Sequence, residues 1–119
     1  MRKTIVCLLL GWSAAAGAAD GGFESAGALL KYMTGSGIDA RLRGWYSGYA
    51  FGYVVGIADV QDGVKNPATG FCFDLPAGIS KGEVFQAVKT HLEAREGSRR
   101  ESAESVVQEA LERAFPCGR

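Results

Sequence analysis

A cysteine stands two residues from the C-terminus, directly behind a proline, in the closing stretch LERAFPCGR. Chain ends fray unless something ties them down, so Cys117 points to a tether that the rest of the fold must reach. The other end of the sequence indicates its kind. Residues 1–19, MRKTIVCLLLGWSAAAGAA, pass from a basic start at Arg2 and Lys3 through an apolar stretch, Ile5 to Trp12, into small residues with an A-x-A-like pattern at Ala16, Gly17 and Ala18. This is the layout of a secretory signal peptide, with cleavage expected near Ala18 or Ala19. The apolar stretch is shorter than the ~20 residues a membrane-spanning helix needs. Cys7 follows Val6 rather than a small residue, which argues against lipid attachment, and it leaves with the signal. Two cysteines remain, Cys72 and Cys117, in a chain bound for an oxidising compartment, and they allow one intramolecular pairing. Such a disulfide would remove unfolded-state entropy worth roughly 4 kcal/mol. The alternative is a pair of buried free thiols. No C-x-x-C pair marks a thiol oxidoreductase.

Removing Arg2 and Lys3 from the thirteen basic residues leaves eleven against thirteen acidic, a net charge of −2. That balance does not suit a polyanion partner, and no nucleic-acid binding is expected. Residues 20–119 make one domain, large enough for a single core and small enough that a staple matters. Helical periodicity exceeds any strand signal, so the expected fold is all-α: a compact bundle of about four helices. The first covers about Glu24 to Thr34, carries Ala26, Leu29, Leu30 and Met33 on one face, and ends at Gly35. The second follows a cap at Asp39 and runs to about Gln61. The third starts at Ser80, which forms a capping box with Glu83, and places Val84, Phe85, Val88 and Leu92 together. The fourth starts near Ser102, with Ala103, Val106, Val107, Ala110, Leu111 and Ala114 on one stripe and Glu104, Gln108, Glu109, Glu112 and Arg113 largely opposite. Pro116 stops it.

The second helix is unusual. In GWYSGYAFGYVVG the glycines Gly44, Gly48, Gly52 and Gly56 recur every four residues and form a ridge along one side. Each costs roughly 1 kcal/mol relative to alanine, so the ridge calls for compensation by a backbone that approaches closely. Packing against a neighbouring helix of the same chain is the first expectation, and a homodimer seam the second. Stable membrane insertion is not expected, because the uncharged run from Gly44 to Ala58 is too short to span a bilayer and carries three tyrosines. Trp45, Tyr46, Tyr49, Phe51 and Tyr53 flank the ridge, residues of the kind that fill cores and dominate interfaces. Between the second and third helices lies DGVKNPATGFCFDLPAG, Asp62 to Gly78, longer than most loops in compact domains. A Cys72–Cys117 bond would clamp it to the C-terminus, and a loop held in one shape loses little entropy on binding. Simply bridging the bundle is the alternative role.

Catalytic signatures are missing. The one histidine, His91, sits late in the third helix without partners in sequence and reads as a surface residue near a helix C-terminus. No metal-ligand spacing, nucleophile elbow or phosphate-binding loop occurs, so neither a metal nor a cofactor is expected, and the chain is not expected to be an enzyme. REGSRR, Arg95 to Arg100, reads as a solvated connection.

GYVVGIAD, then CFDLPAGISKGEVFQAVKTHL, then AESVVQEALERAFPC resemble, in order and spacing, the Rap/Tai family of immunity proteins, which protect bacteria from peptidoglycan amidase effectors delivered by type VI secretion. The similarity runs from about Ala28 to Cys117. It is carried by Gly52, Tyr53 and Gly56, by the cysteine-and-proline loop with Gly78 and Ser80, and by Ala110, Leu111 and Ala114 through Cys117. It implies a periplasmic helical bundle, often dimeric, that neutralises an amidase by plugging or covering its active-site cleft. Members typically carry a second cysteine pair, at the end of helix one and in helix two; Met33 and Ala50 take those places here. Their joint absence supports pairing of Cys72 with Cys117. The expectation is therefore a periplasmic inhibitor whose partner is a cognate amidase effector, engaged through Phe71, Phe73, Asp74 and Leu75 on the clamped loop. A periplasmic chaperone or stress protein of similar build is the alternative.

Overall fold

The computed structural model of the chain describes residues 24–118, and the signal segment expected at residues 1–19 lies outside them. Among the described residues four helices form: α1 (Ala26–Thr34), α2 (Arg43–Gln61), α3 (Lys81–Ala94) and α4 (Ala103–Ala114), with a 3-10 turn, Glu96–Ser98, before α4. The fold is all-α. Among the described residues no strand forms, and extended backbone pairs only at two isolated antiparallel bridges, Ser25 with Ser102 and Phe73 with Pro116.

Local chemistry sets most of the helix ends. Ser25 accepts a hydrogen bond from the Ala28 amide at 3.1 Å and Ser80 one from the Glu83 amide at 3.1 Å, each satisfying a first-turn donor that the helix cannot. Gly35 closes α1 in the left-handed region at φ 72°, its amide bonded to the Lys31 carbonyl, as a residue without Cβ does at no steric cost. Asp39 does not cap α2. Its carboxylate accepts from the Arg41 amide at 2.9 Å, and this bond holds its pKa below the usual carboxylate range. The Asp39 carbonyl accepts from the Leu42 amide, so a turn intervenes and α2 begins at Arg43 without a side-chain cap.

Every helix contributes to one core. Leu29 and Met33 come from α1, Ala50, Val54 and Ala58 from α2, Val84, Val88 and Leu92 from α3, and Val106, Val107, Ala110 and Leu111 from α4. The expected faces of α3 and α4 therefore point inward, except that Ala114 is exposed and Phe85 sits at the core margin, its ring 5.4 Å from that of Phe51 on α2. Without a second disulfide, α1 and α2 are joined by aromatic contact. Tyr32 stacks on Tyr46 at 4.8 Å and meets Tyr49 edge-on at 5.7 Å, geometries that aromatic quadrupoles favour.

The glycine ridge of α2 does not pack within the chain. A Cβ added at Gly44, Gly48, Gly52 or Gly56 would meet nothing within 4 Å. The buried stripe of this helix is Ala50, Val54 and Ala58, and a two-residue offset at about 100° per residue turns the glycines to roughly the opposite side. Close backbone approach occurs instead at Gly27. Its amide donates to the Arg99 carbonyl at 2.9 Å, and an added Cβ would lie 3.0 Å from that oxygen.

Candidate functional site

The segment from Asp62 to Gly78 leaves α2 and is fastened along its inner side to α4 and the C-terminus. Gly63, in the left-handed region at φ 74°, reverses the chain so that its amide reaches the Phe73 carbonyl at 2.8 Å. The Asp62 carboxylate accepts from the Leu75 amide at 2.8 Å. Further along, the Cys72 amide donates to Glu112 Oε2 at 2.7 Å and the Asp74 amide to the Phe115 carbonyl at 2.9 Å. Cys72 and Cys117 form the disulfide, with Cα atoms 5.5 Å apart across 45 residues of sequence.

This arrangement divides the loop into an inner and an outer run. Of the four residues expected to contact a partner, Phe73 is only 1% exposed and belongs to the core, and Leu75 packs against the core. Phe73 thus anchors the loop in the core, and its backbone bridges to Pro116. Phe71 is half-buried, as is Asp74, whose carboxylate accepts from the Gly118 amide at 3.4 Å. The outer run, Val64 to Gly70, is the part facing solvent, with Val64 55% exposed and Lys65, Pro67, Ala68, Thr69 and Gly70 also exposed.

The outer run is shaped by Asn66. Its backbone amide donates to the Phe71 carbonyl at 2.9 Å and its carbonyl accepts from the Gly70 amide at 2.7 Å. Its side-chain oxygen takes the Ala68 amide at 2.9 Å. The turn also reaches inward to Gln108, which lies in the core and not, as the helical pattern suggests, on the polar side of α4. Gln108 is 0% exposed, and its Oε1 accepts from Asn66 Nδ2 at 3.1 Å and Thr69 Oγ1 at 2.8 Å. A buried amide needs such partners, because leaving it unpaired costs about 1–3 kcal/mol. The signal for it in sequence was indirect: Gln108 adjoins Val106 and Val107 on the apolar side of the stripe.

A second surface is the outer side of α2. Trp45 is 66% exposed and stacks parallel to Tyr49 at 6.1 Å, and Leu42, Phe51 and Val60 are exposed as well. Together with the open glycines this gives an apolar face without charge between Gly44 and Ala58. Tyr49 donates to Glu24 Oε2 at 3.1 Å; burial first, then Glu24, raises its pKa. Tyr53, deeper on the same helix, is pushed up to about 12, mainly by burial and secondarily by Glu104.

His91 is not a surface residue. Its side chain is mostly buried, with Nε2 3.5 Å from Glu109 Oε2. Glu109 also pairs with Arg95 and, at 3.4 Å, with Arg113, so part of REGSRR is tied to α4 instead of being solvated throughout. Among the described residues no three His, Cys, Asp or Glu side chains converge as a metal site, and no helix is long and apolar enough to cross a membrane.

Two faces stand out in this geometry, a disulfide-clamped loop and an open aromatic helix. No curated protein matches the chain. The family model of Rap1a immunity proteins matches residues 22–117, spanning all four helices, both bonded cysteines and the loop between them. Membership carries a coarse function: immunity to a secreted effector, exerted by binding that effector. On this match over most of its length, the chain belongs to the Rap1a immunity protein family.

Proposed function

We propose that this protein is a periplasmic immunity protein that binds and inhibits a peptidoglycan amidase effector of a type VI secretion system. The family match carries the immunity role. The signal-like sequence at residues 1–19 and the Cys72–Cys117 bond support the periplasm, since disulfides persist in oxidising compartments. The amidase and its delivery system rest on the sequence resemblance. Inhibition would proceed by occlusion: the outer run of the loop, Val64 to Gly70, enters or covers the effector's cleft, with Phe71 and Asp74 at its foot. Because hydrogen bonds and the disulfide already fix the loop, little ordering entropy is lost on contact. The test is to pass a periplasmic extract, and a lysate containing the neighbouring gene product, over the oxidised mature protein. Capture of one amidase that loses activity in the complex is expected. Capture of many unrelated proteins, or of none, would contradict the proposal.

Two copies of the chain would meet along the outer side of α2. The open ridge Gly44, Gly48, Gly52 and Gly56 permits backbones to approach closely, and the run from Gly44 to Ala58, which carries no charged residue, can be set against itself about a two-fold axis. A dimer by sedimentation that Gly48→Leu converts to monomer is the expected behaviour. A monomer at every concentration would remove the seam.

A further inference from the structure

The disulfide and the bridge from Phe73 to Pro116 pin the inner run of the loop, but neither touches the turn from Asn66 to Gly70, in which Pro67, Ala68, Thr69 and Gly70 are exposed. The side-chain hydrogen bonds joining that turn to the helices end on one atom, Gln108 Oε1, which receives Asn66 Nδ2 and Thr69 Oγ1. Resting on the effector-binding reading above, we propose that Gln108 is a positioning residue for the loop, holding the Asn66–Gly70 turn in the shape that contacts the effector.

The orientation of the amide follows from its neighbours. Gln108 Nε2 donates to Glu104 Oε1 at 3.0 Å, and the same oxygen accepts from Gln61 Nε2 at 3.2 Å. An ionised carboxylate can only accept, so the NH2 end of Gln108 must face Glu104 and its carbonyl must face the turn. Asn66 and Thr69 both offer donors there. The chain Gln61–Glu104–Gln108–turn thus runs from the end of α2 across α4 into the loop, with each group complementing the next. Gln108 itself has no exposed surface and cannot touch a partner in this conformation. It acts through the turn. Asn66 and Thr69, by contrast, can turn to water when their acceptor is lost, so the effect of losing it is local release and not general unfolding.

The experiment uses the full oxidised protein and the amidase captured by the wild type. Gln108→Leu keeps a similar buried volume and removes both hydrogen-bonding ends. Hydrogen exchange at the amides of Ala68, Thr69 and Gly70 is expected to quicken on the order of tenfold or more. Exchange at Val84 and Val88 in α3 should stay near wild type, and the dissociation rate of the amidase complex should rise by a similar factor. Gln108→Glu sets two carboxylates together and should loosen the turn as well. Adding Glu104→Gln to it reverses donor and acceptor and should restore both turn protection and slow dissociation, a rescue that loss of bulk stability would not produce. Unchanged exchange at the three turn amides would overturn the positioning role. Faster exchange with unaltered amidase binding would overturn the contact role of the turn. Failure of the wild type to capture any amidase would sink the functional reading itself, and it is told apart because it appears before any substitution is made.

Discussion

The open ridge of α2 makes a prediction opposite in sign to the one that its spacing invites. If Gly48 and Gly52 supported an internal helix contact, alanine at either position would collide with a neighbour and destabilise the fold. In the structure an added Cβ meets nothing within 4 Å at either position. The helix-propensity term is then all that remains, about 0.8–1 kcal/mol in favour of alanine per site, and the two sites together reach roughly 1.5–2 kcal/mol. In a domain of this size that raises Tm by roughly 6–16 °C. Gly27→Ala is the internal control, since its Cβ would press on the Arg99 carbonyl at 3.0 Å and cost about 1–3 kcal/mol. Thermal unfolding of the oxidised protein, dilute enough to be monomeric, reads the intrinsic effect. At high concentration, substitution at a dimer seam would offset part of the gain, because association stabilises the folded state by mass action. A lower Tm for Gly48→Ala with Gly52→Ala in the dilute sample would refute the outward placement of the ridge.

Other consequences follow from the loop and the tyrosines. Cys117→Ser should lower stability by up to roughly 4 kcal/mol under oxidising conditions, visible as a Tm lower by at least several degrees, and an unchanged melting curve would mean that the bond with Cys72 does not form. Phe73→Ala should cost about 3–5 kcal/mol as a core truncation, whereas Val64→Asp should leave the melting curve within about 0.5 kcal/mol of wild type and weaken effector binding; the reverse pattern would invert the inner and outer runs. Tyr53 is neutral in both folded and unfolded chains below pH ~10. Between there and its folded value of about 12 the unfolded chain loses its proton first, so stability falls as the pH rises. Denaturant titrations across that range should show the decline, and Tyr53→Phe should make it shallower.

How much of this was legible in the sequence depends on whether the deciding partner is near in the chain. Ser80 caps α3 through the Glu83 amide three residues away, and Gly35 ends α1 through Lys31, so those two ends could be read from spacing alone, whereas the cap at Ser25, inside the stretch expected to be helical from about Glu24, could not. The disulfide was legible because setting aside the signal-like segment that holds Cys7 leaves Cys72 and Cys117 as the one possible pair. Gln108 was misplaced because a polar residue on an amphipathic helix is normally solvated, and its partners Asn66 and Thr69 lie about forty residues earlier. Phe73 looked available because the loop's bridge to Pro116 is a tertiary contact. On α2 two stripes of small residues, Gly44 to Gly56 and Ala50 to Ala58, run two residues apart, and periodicity alone does not say which of them faces the core. Asp39 has the chemistry of a cap, yet Arg41 takes its carboxylate and helix formation waits until Arg43.

The most direct test of the central claim is a titration of the captured amidase with the oxidised mature protein while peptidoglycan hydrolysis is followed. Immunity by occlusion predicts that activity falls to zero at a fixed stoichiometric ratio, and that Val64→Asp shifts the curve to higher inhibitor concentration without altering its own fold. Undiminished hydrolysis at a large excess of folded, disulfide-bonded protein would contradict inhibition by this chain.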